Sequence, residues 1–418
     1  MSPARAGRGR VVVIGAGPAG MAAALSVHQA GHDVIVLERY HQARPAGNVL
    51  NLWPPPIKAL GLLGVDTQDL GAGCYSEFRS AAGRTRVRVN LPDQIVRDYG
   101  GGFIGMLRPE LYERLLAALP PGILQVDRTV NSFDADETGV RLHMADGEVI
   151  EADVLVGADG IDSLVRRALW GDVPKREHNL HVIAGFTFDP TVPAERGLCI
   201  ISHGRAVQGS WTSIRDKGRD GFQWWVLGAH DGRTEFTGDL HATATKMGAG
   251  FATPLPQLIA ATEPGNVQRW VLRDRKPLKQ WSKGRATLAG DAAHPTSPYA
   301  AYGAGMATED GYFLGRALAG VDLSDYTAVR AALDAFETPR KPHTARQVQQ
   351  AYLLGKVFHH APAPLRPVRD AILDRTPFLQ KVVGESSPGE ILAQIAAIDE
   401  AEQRFTAIRG SDTQTGAA

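Results

Sequence analysis

Cysteine is nearly absent: Cys74 and Cys199 are the only two in 418 residues. That count excludes a secreted disulfide framework. With the histidines scattered as well, no metal-ligand spacing is present and no metal is expected. Excess charge of either sign is also missing. Lysine plus arginine number 45, as do aspartate plus glutamate, so nothing marks a basic footprint for nucleic acid or a membrane surface. No stretch of about 18 uncharged apolar residues exists to span a bilayer. The N-terminal MSPARAGRGR has basic residues but no apolar region ahead of a cleavage site, so no signal peptide is expected. Internal repeats and low-complexity runs are lacking. These absences leave a soluble, cytoplasmic chain, long enough for two interleaved domains and a helical tail. Its small, polar end from Gly410 to Ala418 is expected to lack structure.

What is present begins with a strand, a glycine-rich turn, a helix and a second strand. Val11 to Ile14 is a β-branched run of the kind buried in a parallel sheet. The spacing predicts a helix over Pro18 to Ala30, stopped by Gly31, then a buried strand over Val34 to Leu37. Between them lies Gly15-Ala16-Gly17-Pro18-Ala19-Gly20. Gly15 permits the tight turn, Gly17 lets backbone approach a pyrophosphate, and Gly20 lets helix and strand pack closely. The helix start then offers free N–H groups to phosphates. Glu38, followed by Arg39, ends the second strand where an acid can accept from ribose hydroxyls and repel a 2′-phosphate. That disfavours NADP in this site and leaves NAD and FAD open.

Further along, the texture changes twice. From about 175 to 285 strands, turns and aromatics dominate, with strands predicted over Ile183 to Phe188, Leu198 to Ser202, Ala206 to Ile214 and Phe222 to Ala229. The buried-strand texture returns at Thr287 to Gly290, and a long helical region follows from Gly303 to about Ala401. The first domain is therefore read as discontinuous, with a separate sheet inserted that can roof a pocket.

Two later stretches join the glycine turn: Asp153-Val-Leu-Val-Gly-Ala-Asp159-Gly160-Ile-Asp-Ser163-Leu-Val-Arg166, and Arg285-Ala-Thr-Leu-Ala-Gly290-Asp291-Ala292-Ala293-His294-Pro295. With these three motifs in order, residues 8 to 360 resemble the class A flavoprotein monooxygenases, the aromatic-hydroxylase family of para-hydroxybenzoate and salicylate hydroxylase. The resemblance implies an α/β fold: a Rossmann-like FAD-binding domain (1–174 and 286–360), an inserted mixed or antiparallel β-sheet substrate domain (175–285), and C-terminal helices with a tail (361–418). It implies FAD as cofactor, NADH or NADPH as a transient reductant, and O2 and a small aromatic substrate as partners, in a monomer or homodimer. In the family, the residue matched by Asp291 hydrogen-bonds the ribityl chain. The one matched by Asp159 helps bind FAD and is linked to pyridine-nucleotide use. Arg44 matches an arginine near the mobile flavin, Arg108 one at the ribityl and phosphate region, and Val130 a backbone contact to adenine. Gly303, Ala304, Gly305 and Met306 bring backbone N–H groups to the flavin, with Pro298 beside the carbon where oxygen adds. Tyr302 departs from the glutamine common in the salicylate-hydroxylase branch.

The reaction so implied is hydroxylation of an electron-rich ring through a flavin C4a-hydroperoxide, with water excluded. No catalytic side chain is singled out. Trp211, Trp224, Trp225, His203 and Tyr299 are candidates for the substrate pocket, along with Pro298. Trp224 and Trp225 cannot both line one wall of a regular strand. Related outcomes (epoxidation, dearomatisation, Baeyer–Villiger oxidation, N-oxidation) share the same oxygenated flavin. A catalytically silent FAD-binding scaffold is the alternative of another class. A halogenase is disfavoured, since no Trp-x-Trp-x-Ile-Pro motif is present.

Overall fold

The computed structural model describes residues 9–41, 49–231 and 233–415. The first segment forms β1 (Arg10–Ile14), α1 (Pro18–Gln29), β2 (Asp33–Leu37), β3 (Val49–Leu52) and α2 (Pro54–Leu62). It continues through β4 (Ala72–Ser80), β5 (Thr85–Arg88), α3 (Asp93–Asp98), β6 (Phe103–Leu107) and α4 (Arg108–Ala118). Then come β7 (Leu124–Gln125), β8 (Val130–Ala135), β9 (Val140–Met144), β10 (Val149–Ala152), β11 (Val154–Gly157) and α5 (Leu164–Trp170). The middle segment holds β12 (Arg176–Thr187), β13 (Leu198–His203), β14 (Val207–Asp216), β15 (Arg219–Ala229), α6 (Leu240–Gly248), α7 (Leu255–Ala260) and β16 (Gln268–Asp274). The last contains β17 (Ala286–Leu288), α8 (Gly303–Leu318), α9 (Tyr326–His359), α10 (Arg366–Arg375) and α11 (Ser386–Thr415).

Among the described residues, a parallel sheet runs in the order β17-β11-β1-β2-β7. Val11, Val12, Val13, Val154, Leu155 and Val156 are wholly buried, as expected for strands covered on both faces. β17, from a distant part of the chain, pairs with β11, so the domain is discontinuous as the sequence texture indicated. A small antiparallel sheet, β10-β9-β8, lies beside it.

The large sheet runs β16-β12-β15-β14-β13-β4-β6-β3, with β5 on β4. It differs from the expectation of a sheet confined to 175–285, because β3 to β6 come from the first segment. β13 pairs parallel with β4 and antiparallel with β14, which makes the sheet mixed. Sequence patterning shows that a segment is a strand but not which distant strand it pairs with.

The end of the chain corrects another expectation. α11 continues to Thr415, so much of the segment from Gly410 is helical. Tyr312 on α8 donates to the Ile398 carbonyl and to Glu402, and Arg316 donates to Glu402 as well. These bonds tie α11 to the cofactor domain.

Candidate active site

The glycine turn has the geometry its residues demand. Gly15 has φ +102°, and a Cβ there would lie 2.5 Å from the Ala158 carbonyl oxygen. A Cβ on Gly20 would lie 1.9 Å from the Gly15 oxygen, so only glycine permits the contact. Gly17 caps α1 without a side chain, and Pro18 opens the helix. The first-turn N–H groups and the positive end of the helix dipole are thus left facing outward. Ala19 is buried beneath the Gly290 turn.

Glu38 sits at the end of β2, as the spacing indicated. Its carboxylate accepts from the Ala16 N–H at 2.9 Å and the Tyr40 N–H at 3.0 Å. Two backbone donors do not exhaust its lone pairs, so hydroxyls can still be accepted. Arg39 is exposed, donating to the Tyr40 hydroxyl at 3.0 Å. Val130 is buried at the start of β8, close to Glu38, whose carbonyl accepts from Arg128 N–H at 2.8 Å. Arg44 lies outside the described residues.

Asp291 follows Gly290 in a short 3-10 turn after β17. Its side chain keeps accessible surface, yet protein surrounds it closely enough that burial raises its carboxyl above the usual range, against the pull of His294 and Arg108. Arg108 opens α4, half-buried. One turn on, Tyr112 places its hydroxyl 3.8 Å from where a Cβ on Gly17 would be. Burial raises the Tyr112 phenol, Arg108 opposes that, and Glu38 and Asp291 add to it. Motif reading missed Tyr112. The available signal was its position four residues after Arg108, on the same face of a helix.

Beneath the Gly290 turn is a buried polar network. Asp310 accepts from the Gly290 N–H at 2.9 Å, from Arg340 Nε at 2.9 Å, and pairs with His294. Arg340 also donates to Glu309 at 2.8 Å, and the Tyr302 hydroxyl donates to the other Glu309 oxygen. Burial acts to raise Asp310, but His294 and Arg340 outweigh it and hold its carboxyl below the usual range. Burial prevails at Glu309, whose carboxyl is raised. Tyr302 therefore occupies its slot as a member of this network, with its ring against Gly305. Gly303, Ala304, Gly305 and Met306 form the first turn of α8, which has no side-chain cap.

Asp159 supports the start of α5, whose N-cap is Ser163: one oxygen accepts from the Leu164 N–H at 2.6 Å, and the other is buried without a partner. Burial raises its carboxyl despite hydrogen bonds from Ser163 and the α5 backbone. Seven residues on, Arg166 donates to the carbonyls of Ala292 at 3.1 Å and Ala293 at 2.8 Å. The second motif thus clamps the third.

The substrate-side candidates divide between the two faces of the large sheet. Trp211 and Trp224 are directly opposite one another. They pack with Ile183, Phe222, Val226, Leu258 and Ile259 under α6 and α7. Trp224 Nε1 donates to Thr262 at 2.8 Å. Both were pocket candidates, and both belong instead to the closed outer core, because α6 and α7 cover that face. Trp225 is on the other face, with Trp53, Ile201 and Ala301. His203 Nε2 meets the Tyr299 hydroxyl at 3.0 Å. The His203 ring stacks 3.9 Å from Phe358. Pro298 is exposed at the start of a 3-10 turn, followed by Ala301 at φ +50°, whose carbonyl accepts from Trp53 Nε1 at 3.2 Å. Trp53, Ile201, Trp225, Tyr299 and Ala301 are all half-buried. Gathered between the sheet and the 297–302 segment, they mark this side, opposite α6 and α7, as the candidate cleft face.

Residues 8–351 match the family described as FAD binding domain. The chain is 31% identical over 363 residues to 6-hydroxynicotinate 3-monooxygenase of Bordetella bronchiseptica, covering 81% of this chain and 90% of that protein. It is 31% identical over 376 residues to the 3-amino-4-hydroxybenzoate 2-monooxygenase PtmB3 of Streptomyces platensis, covering 87% and 92%. Among solved structures, HpxO of Klebsiella pneumoniae, complexed with FAD and uric acid, superposes with a TM-score of 0.79 at 23% identity, covering 92% of this chain and 97% of that one. The chain belongs to the FAD-binding domain family, as a class A flavoprotein monooxygenase with FAD as its cofactor. No described helix is long and apolar enough to cross a membrane.

Proposed function

We propose that this chain hydroxylates a small aromatic or similarly electron-rich molecule, using NADH or NADPH and O2, in the cytoplasm. One observation carries the reading: the glycine turn, Glu38, Arg108, Tyr112 and Asp291 lie close to one another, and Trp225 and Tyr299 pack together beside the segment that leads from Asp291 into α8.

FAD fits these residues. Gly15 and Gly20 form a cradle that a Cβ would fill. The α1 N-terminus would receive the pyrophosphate, Glu38 a ribose hydroxyl, and Val130 the adenine side. Asp291 would accept from the sugar-alcohol chain, with Arg108 and Tyr112 alongside. The start of α8 would present its N–H groups to the ring edge where negative charge develops on reduction. When bound, FAD supplies the electron transfer from NAD(P)H and the activation of O2. The protein's own work is to hold the ring still, exclude water and seat the substrate. Trp53, Trp225 and Tyr299 suit a flat ring.

The test is substrate-stimulated NAD(P)H oxidation by the FAD-loaded protein, with product mass analysis after a panel of phenols, hydroxypyridines and fused-ring lactams. Expected is oxygen-dependent consumption coupled to a product one oxygen heavier. Unaccelerated NAD(P)H oxidation across the panel, with FAD fully bound, would favour the silent scaffold instead.

A further inference from the structure

The cleft face of the large sheet carries more polar chemistry than an apolar slot requires. Directly opposite residues of antiparallel strands share a face. The register pairs Ser210 with Trp225 and Ile201, Gln208 with His203, and Thr212 with Gln223. All of these therefore point to the cleft side, away from α6 and α7. Gln208 is 5% exposed and Gln223 0%. Their amide nitrogens are engaged, Gln208 with Ser210 Oγ at 3.1 Å and Gln223 with Asn51 Oδ1 at 2.9 Å. The amide oxygen of Gln223 has no partner, and that of Gln208 has none at bonding distance, with only the His203 ring within reach of its side chain. A buried acceptor without a donor is costly and uncommon, and two on one face point to a ligand that satisfies them.

The two arginines that reach the His203–Arg205 backbone are both committed to internal partners. Arg86 donates to Asp374 at 2.6 Å and to the carbonyls of Arg79 and His203. Arg369 donates to Asp370 and to the carbonyls of Phe358, Gly204 and Arg205. Burial pushes His203 well below its usual range, reinforced by His359, Arg86 and Arg369. Burial likewise brings His359 down to about 4. Both imidazoles are neutral at pH 7. Burial also raises the Tyr299 phenol, so it stays protonated. A carboxylate brought here would lose its hydration and find both nearby guanidiniums already paired, Arg86 with Asp374 and Arg369 with Asp370.

We propose that this cleft selects an uncharged aromatic ring bearing N–H or O–H donors, such as a carboxamide, lactam or phenol, with Gln208 and Gln223 as its specificity-determining residues. This rests on the monooxygenase reading above. It also separates the chain from its relatives named for nicotinate and benzoate substrates.

The test uses the full-length, FAD-loaded protein without NAD(P)H. It is titrated with 6-hydroxynicotinamide against 6-hydroxynicotinate, and with 4-hydroxybenzamide against 4-hydroxybenzoate, reading Kd from the flavin absorption spectrum. Each amide is expected to bind at least ~10-fold tighter than its acid at neutral pH. Gln208→Met and Gln223→Leu should each shrink that ratio while FAD occupancy and melting temperature hold. If one variant fails to fold, the other and the wild-type ratio still decide. Equal or tighter binding of the acids, or no binding of either amide, overturns the assignment. So does an amide preference that both variants leave intact. The two readings fail separately. Hydroxylation of tightly bound acids sinks the neutral cleft and keeps the monooxygenase. Amide-selective binding that never accelerates NAD(P)H oxidation does the reverse.

Discussion

Two buried polar regions of this protein are built in opposite ways. Under the Gly290 turn, Arg340, Asp310, Glu309, His294 and Tyr302 are linked by hydrogen bonds, two carboxylates sharing one guanidinium. On the cleft face of the large sheet, Gln208 and Gln223 each leave an acceptor without a donor at bonding distance. The first region is completed by the chain itself and holds a loop and a helix in place. The second is incomplete without something that is not the chain. Polarity that is satisfied internally makes a scaffold, and polarity left open makes a recognition surface.

The largest effect is expected from Arg340→Met, which removes the guanidinium that two buried carboxylates share. A loss of about 3–5 kcal/mol in unfolding free energy is expected by denaturant titration, and a loss under one would mean that the network is not a stabilising unit.

Acid should act next. Burial lowers His343, beside the network, to about 3, with Arg340 contributing, and lowers His359, beside the cleft, to about 4. Below an unfolded value of 6.5 the unfolded chain takes up protons that the folded one refuses. Stability is therefore full above that pH and falls on acidification, by roughly 2 kcal/mol per histidine by about pH 5. Melting curves across this window should flatten in His343→Gln; an unchanged slope would remove His343 from the account.

Asp291→Ala tests the cofactor side instead. FAD affinity should fall about 10-fold or more, while the melting temperature of the flavin-free protein holds. Flavin occupancy equal to wild type would contradict the role given to this carboxylate.

The smallest pair compares neighbours. Trp224→Phe removes a bond to Thr262 in the closed core and should cost about 1–2 kcal/mol with ligand binding unchanged. Trp225→Phe should cost less than ~1 kcal/mol and weaken binding of aromatic ligands. The reverse pattern in ligand titrations would exchange the two faces.

Much of the cofactor side was legible because its signals are local. A strand, Gly15 to Gly20 and a helix are contiguous, and Glu38 lies one strand later. Asp291 and Asp159 are singled out as cofactor candidates by short motifs. Tyr112 is not, since nothing in its neighbours marks it until α4 is known to approach Gly17. On the substrate side, alternation showed that Trp224 and Trp225 must face apart, and that was correct. Which one faces the cleft depends on where α6 and α7 land. The recruitment of β3 to β6 into the large sheet was invisible for the same reason, since its pairings join residues more than a hundred positions apart.

By itself, the sequence determined the dinucleotide turn, the order of the three motifs, the discontinuous parallel sheet and the family. Each depends on residues adjacent in the chain or on a backbone geometry that only glycine tolerates. Only the packing of distant elements set which sheet face α6 and α7 leave uncovered, which tryptophan lies on it, and that amide oxygens there are left without donors at bonding distance. Those properties belong to contacts between distant strands and helices, and no local pattern encodes them.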